Sequence, residues 1–529
     1  MVHLYRNGFK PRYFVWIDHG ESDGLDGMFY NSMPVDVYNM VAPHGQIRVE
    51  QVRIKHDRVE HDRVHEMIDD AFGVQDWNVP NAAMDSMVDL LGELVNPEFI
   101  IPKNFYQAKR LVSKLGLTLK RLYASMRSAP HMRWHREYRR PSGVLSHPSD
   151  SEALKHFDNV YPDFASEPRN VRLGLCSDGF TPFSNNASPY SCWPVFLTLY
   201  NLPPEMCMTS PYIFLSCVIP AGKLAFPYCM ENSKAFTLKN GRKNSWFDCH
   251  HQFLPMDHEF RKMKNAFRKN KVESDPPPPL LIGHQIWERV SQLPKVTEAS
   301  PSRLPGYGVE HNWTKQNIFW ELSYWKNNLL RHNLDVMHIE KNYFDNLFNT
   351  LMDVKGKTKD NPKARMDIKE CCRRKEFWLQ ELQNGKIVKP KASFSFTLDE
   401  KHEIIEWVKN LRMPEGYASN LGKRAYMNEG KLIGMKSHDC HVLMETLIPI
   451  AFSHLPERIW KPITEISLFF KDLCSGKLLE SSLDRIKENI LVTTTKLEKI
   501  FPCGFFDVME HLPIHLVQEA RLGGPVQTR

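Results

Sequence analysis

PDFASEPRNVRLGLCSDGFTPFSNNASPY, residues 162–190, is the stretch on which the fold turns. Its middle, Val171-Arg-Leu-Gly-Leu-Cys, alternates apolar and polar positions as a half-buried strand does. The run breaks at Ser177-Asp-Gly, where Gly179 permits the sharp exit a strand end needs. Asp178 is therefore expected at the mouth of a sheet. Mg²⁺ is commonly held in such places by one or two carboxylates together with substrate phosphates. The same residues also suit an Asp-Gly turn with a solvated side chain, a common use of that dipeptide.

Two more extended runs follow, Trp193–Tyr200 and Tyr212–Ile219, separated by turn-rich segments. Three consecutive strands with short connections predict an antiparallel meander. Farther on, Asn317–Val354 carries the strongest helical periodicity. Advancing about 100° per residue from Asp335 puts Phe344, Leu347, Phe348 and Leu351 on one side. Glu340 falls inside that apolar face, while Asp335, His338, Asn342 and Asp345 share the opposite one. A carboxylate among core positions is costly unless paired or metal-bound, which makes Glu340 a candidate functional acid. A later helix start would instead leave Glu340 on an exposed first turn.

The chain of 529 residues is long enough for several domains with proper cores. Apolar content of 42% and charged content of 25% are those of a globular protein. No apolar run reaches the roughly 18 residues of a membrane span, and Met1–Trp16 lacks the pattern of a signal peptide. Eleven cysteines without a dense paired framework point to reduced thiols, as in cytosol or nucleus. A net charge of +7 is compatible with nucleic acid without arguing for it alone.

Ala82–Leu94 and Asn104–Met126 read as helices, the second basic; the histidines of His56–Gly73 read as a solvated face. HMRWHREYRR, His131–Arg140, interleaves Arg133, Arg136, Arg139 and Arg140 with Trp134 and Tyr138. That pattern suits phosphate contact and base stacking, and equally a charged helix end. Lys262–Lys271 and Lys355–Arg365 are further basic candidates. DCHHQFLPMDH supplies Cys249, His250, His251 and His258, which with Cys229 have the donor types of a Zn²⁺ site. Hydrogen-bonded surface histidines are the plainer alternative. Leu398–Arg412, Cys440–His454, Ile459–Leu473 and Leu483–Phe501 predict a helical region separable from the core. There His438, Asp439 and His441 read as a helix-entry cap rather than a metal site.

RNVRLGLCSDGFTPF, WPVFLTLYNLPPEMCM and RHNLDVMHIEKN together resemble the transposases of plant CACTA (En/Spm) DNA transposons. The likeness runs from about Asn31 to the C-terminus. It implies an α/β fold: a degenerate ribonuclease-H-like catalytic core followed by a mostly helical C-terminal domain. The corresponding division is 1–150, N-terminal helical and basic; 151–375, an incomplete transposase core; and 376–529, C-terminal and helical. Asp178 becomes the first acid of a DDE metal site, Glu340 the third, with Asp335 and His338 metal-related. Mg²⁺ or Mn²⁺ would serve in-line attack on a DNA phosphodiester, with Zn²⁺ as a further cofactor through Cys229, His250 and His258. Expected partners are transposon-end DNA and further copies of the chain, in the nucleus, without membrane.

The sequence also departs from that pattern. Pro220 runs almost directly into Gly222, where the family carries a long stretch with the second catalytic Asp. Phe226 stands where the first cysteine of a CxxC would be, leaving Cys229. A Cys-containing region is missing earlier, within Lys114–His135, and the family pattern continues beyond the final GGPVQTR. These departures imply internal deletions and a truncated C-terminus. The resemblance thus leads to a DDE-type transposase inactive in this form, or to a non-catalytic DNA- or protein-binding remnant.

Overall fold

The computed structural model describes residues 130–138, 140–177, 192–207, 213–220, 235–247, 249–264, 267, 272–295, 315–316, 318–331, 333–414 and 420–528. Asp178, Cys229, Arg139 and the helices expected before residue 130 lie outside these residues. The chain divides into two compact units, Met1–Thr118 with Gly179–Trp193, and Leu119–Asp178 with Pro194–Arg529. Apart from Cys192 and Trp193, the described residues belong to the second.

The decisive stretch forms β1, Leu173–Ser177, which pairs antiparallel with β2, Cys192–Leu199. The register runs from Leu173 opposite Leu199 to Ser177 opposite Val195. β3, Ile213–Pro220, completes a three-stranded sheet in the order β1-β2-β3, the strand order a meander requires. Gly174 is needed for packing here. A Cβ at this position would stand 2.0 Å from the Tyr200 ring, which crosses the strand at that point. The Tyr200 hydroxyl in turn accepts from Asn333 Nδ2 at 2.8 Å. Asn333 N also donates to Leu175 O at 2.9 Å, in a parallel bridge between Asn333 and Cys176. The end of β1 is thereby tied to the segment that opens the main helix.

That helix, α1, spans Val336–Leu351. Asp335 caps it, its carboxylate accepting from His338 N at 2.9 Å, so one otherwise orphaned amide is satisfied. Its buried stripe is Ile339, Glu340, Tyr343, Phe344, Leu347, Phe348 and Leu351, the face that the 3.6-residue period predicts. Asp335, His338, Asn342 and Asp345 lie on the half-buried side. α2, Pro362–Cys371, starts from the Asn361 cap with proline in its first turn. α3, Leu398–Asn410, starts from a Thr397/Glu400 capping box. The cap read at Asp439 is present: its carboxylate accepts from Lys436 N at 3.1 Å and opens α4, Ser437–Val442. A π-helical turn, Leu443–Leu447, continues it. α5 (Glu457–Leu473), α6 (Glu480–Ile500) and α7 (Pro513–Gly523) follow.

The apolar stripe of α1 is buried among these C-terminal helices. Tyr343, Phe344, Leu347 and Leu351 share one core with Phe394, Phe452, Ile463, Phe470, Leu497 and Phe505. Burying each such side chain contributes roughly 1.5–3 kcal/mol, so α1 and the later helices stabilise one another. The boundary expected between 375 and 376 falls inside this unit. A short antiparallel ladder, Val144–Leu145 with Leu478–Leu479, further stitches the region before β1 to the C-terminal helices.

Candidate functional site

The bridge between Cys176 and Asn333 sets the end of β1 beside the entry of α1. Asp335 and His338 sit at that entry, half-buried. The aligned amides of a helix N-terminus favour negative charge there. Glu340, one turn farther along, faces the opposite way and is completely buried.

Glu340 Oε2 lies 2.6 Å from Nδ1 of His441 on α4. Cys474, which closes α5, has its Sγ 4.0 Å from the same oxygen. Glu445 stands on the π-helical turn, and Glu340, Glu445 and Cys474 each offer a ligand atom within 4.8 Å of the others. Burial pushes Glu340 well above the usual carboxylate range. Burial and then the neighbouring Glu340 lift Glu445 to about 8. Burial holds His441 down at about 4, against the pull of Glu445 and Asp335. With His441 neutral, its contact with Glu340 is a hydrogen bond rather than an ion pair.

A second buried polar group runs through the histidines. His250 Nδ1 lies 2.6 Å from Glu498 Oε1 on α6. His250 Nε2 lies 3.2 Å from His511 Nδ1, and His511 Nε2 lies 3.1 Å from His515 Nε2. Burial lowers all three histidines, His250 to about 3, so the chain is one of neutral rings. His258 is not part of it: its Nδ1 accepts from Phe260 N at 3.1 Å and caps a short helix. The two histidines assigned to one zinc site in the sequence thus serve separate local roles.

The described arginines of His131–Arg140, namely Arg133, Arg136 and Arg140, are engaged within the protein. Arg133 pairs with Glu137 at 2.8 Å, and Arg136 donates to Ala165 O at 2.9 Å. Arg140 donates to Ser146 Oγ and lies 4.4 Å over the Trp134 ring, which Tyr138 also stacks upon. Trp134 is therefore already covered by its own neighbours. Arg365, within the basic Lys355–Arg365 run, is buried in an ion pair with Asp360. It cannot reach phosphates.

Around α2 three acids are paired within the protein, while Glu370 and Glu376 stay exposed. Asp360 turns inward to Arg365, Asp353 to Lys389 at 2.7 Å, and Asp367 to the amides of Asn240 and Gly241. Lys355, Lys357, Lys363, Lys369, Arg373 and Lys375 are left on the exposed side.

Residues 142–225 and 221–293 match the family described as Transposase family tnp2. The match supports a transposase-family protein. The two matched segments of this transposase-family region meet at 221–225, where the sequence departs from the expected pattern. Residues 473–529 match a domain of unknown function, DUF4218, which takes in Cys474, Glu498, His511 and His515. No match was found among curated proteins or solved structures.

Sequence reasoning missed Glu445, Cys474, Glu498, His511 and His515. His511 and His515 stand four residues apart in EHLPIHL, the spacing that places two side chains on one helical face, and this signal was legible. Glu445 and Cys474 carry no local signal. They meet Glu340 only through packing of α4, the π turn and α5.

Proposed function

We propose that this is a transposase-related protein that binds DNA through its phosphates and, in this form, does not cleave it. The observation that carries the reading is the excess of exposed cations around α2. Asp353, Asp360 and Asp367 there are paired within the protein, and against the exposed Glu370 and Glu376 stand six exposed cations, Lys355, Lys357, Lys363, Lys369, Arg373 and Lys375. Such a surface recruits DNA by releasing counterions and reads no sequence by itself. The absence of cleavage follows from Glu340, whose carboxyl is buried against His441 rather than open to a nucleic acid. The junction of matched segments at 221–225 agrees with loss of a second acid. In this reading the chain descends from a CACTA-type element with a ribonuclease-H-like core and acts on nuclear DNA.

A second reading, an active divalent-metal site, is favoured by the bridge between Cys176 and Asn333. It brings the end of β1, after which Asp178 follows in sequence, to the helix entry bearing Asp335. Asp178 and Asp335 would then share Mg²⁺ or Mn²⁺, with His338 close by.

The binding claim is tested by fluorescence anisotropy with labelled duplexes over a series of salt concentrations. Affinity should fall steeply with salt and vary little with sequence. Replacing Lys355, Lys357, Lys363 and Lys369 by alanine should flatten the slope of log K against log salt by about 0.9 for each phosphate that the variant no longer neutralises. Unchanged binding in that variant would move the DNA surface elsewhere.

A further inference from the structure

We propose that Glu340, Glu445 and Cys474 form a zinc site that fastens the C-terminal helices to α1, with His441 orienting the Glu340 carboxylate. This goes beyond the DNA-binding reading and does not depend on it.

Three observations converge. The ligand atoms of the three residues lie within 4.8 Å of one another. A tetrahedral ion with bonds of about 2.0–2.3 Å holds its donors roughly 3.3–3.8 Å apart, so side-chain shifts of about 1 Å separate this arrangement from a coordinated one. Glu340 is completely buried, and its Oε1 has no hydrogen-bond partner among the described residues, whereas its Oε2 lies 2.6 Å from His441 Nδ1. A buried carboxylate oxygen left without a partner costs on the order of 1–3 kcal/mol, and a cation removes that cost. Lastly, Glu445 is presented by a π-helical turn, Leu443–Leu447. Such turns are rare within α-helices and recur at functional sites.

The donor set selects the metal. A thiolate beside carboxylates fits borderline-soft Zn²⁺ better than Mg²⁺ or Ca²⁺, which take oxygen. A hydrogen bond from His441 Nδ1 to the ligating carboxylate is the outer-shell support that metal sites usually carry. Glu445 and Cys474 are half-buried, so an ion can enter from their side. On binding, the Cys474 thiol and the two carboxyl groups give any protons they hold to solvent. The fourth position is left to water or to a turn of the His441 ring. Cys474 stands at the start of the DUF4218 match, so the ion would tie that region to α1.

The test uses the full chain. Metal analysis of the purified protein should find stoichiometric zinc. Replacing zinc by Co²⁺ should give a thiolate-to-cobalt charge-transfer band and the visible bands of a tetrahedral ion. Cys474→Ser should abolish the charge-transfer band, and Glu445→Gln should weaken cobalt binding by on the order of tenfold or more. Should Cys474→Ser not fold, alkylation of the native protein decides the matter: bound zinc should protect Cys474, read by peptide mass. A cobalt spectrum without a thiolate band, a band that survives Cys474→Ser, or Cys474 equally alkylated with and without zinc would overturn the proposal. So would zinc that disappears in His250→Ala but is kept in Cys474→Ser, which would place the ion at the histidine chain.

Discussion

Glu340 Oε2 and His441 Nδ1 lie 2.6 Å apart, both side chains buried, across 101 residues of sequence. This contact joins α1 to α4 and fixes which way the one acid on the apolar face of α1 points. Truncating either partner leaves the other buried with an unmet hydrogen bond, which costs about 1–3 kcal/mol. His441→Ala and Glu340→Ala should each lower the urea midpoint accordingly, and the double variant should cost less than the sum. Strict additivity would show that the two side chains are not coupled.

Gly174 makes a second prediction about how β1 meets α1. Alanine there would place a methyl group 2.0 Å from the Tyr200 ring and drive the ring off its contact with Asn333. Overpacking of this kind typically costs about 1–3 kcal/mol. Gly174→Ala should therefore destabilise the protein by about that much, whereas Tyr200→Phe should lose only the hydroxyl bond, about 1 kcal/mol. Thermal melts compare the two; equal stability of Gly174→Ala and the parent would contradict the crossing of Tyr200 over the strand.

Much of this was legible in the sequence. The alternation in Val171–Cys176 located β1, and the 3.6-residue period located α1 together with the burial of Glu340, although the helical reading of Asn317–Val354 began too early, since Ile318–Glu321 and Trp325–Asn327 are only short 3-10 turns. The cap at Asp439 was legible because its partner, Lys436 N, is three residues away. Local periodicity could not say what covers Glu340, because His441, Glu445 and Cys474 come from distant helices. Nor could it show that α1 and the C-terminal helices share a core, since amphipathic faces name no partner. The basic run Lys355–Arg365 shows the same limit: composition did not distinguish Arg365, folded inward onto Asp360, from Lys363 beside it.

Acid should weaken the fold through its buried histidines. Burial, assisted by Arg140 and His135, holds His147 at about 3, and burial holds His250 at about 3, against an ordinary 6.5. The unfolded chain therefore takes up these protons first, and stability present above pH 6.5 is lost as pH falls from there towards 3. Between pH 7.5 and pH 5 each of the two should cost about 2 kcal/mol. A melting temperature that falls over this range, and falls less in His147→Gln, is the expected result; a flat profile would contradict the burial of neutral rings.

Binding of DNA without cutting is tested by strand nicking. Labelled duplex DNA is incubated with the protein and Mg²⁺ or Mn²⁺ at low salt, where binding is independently confirmed by anisotropy. Bound DNA should stay intact, with the same result for Asp178→Ala and Asp335→Ala. Metal-dependent nicking that Asp178→Ala or Asp335→Ala abolishes would contradict it, and would establish an active site at the meeting of β1 and α1.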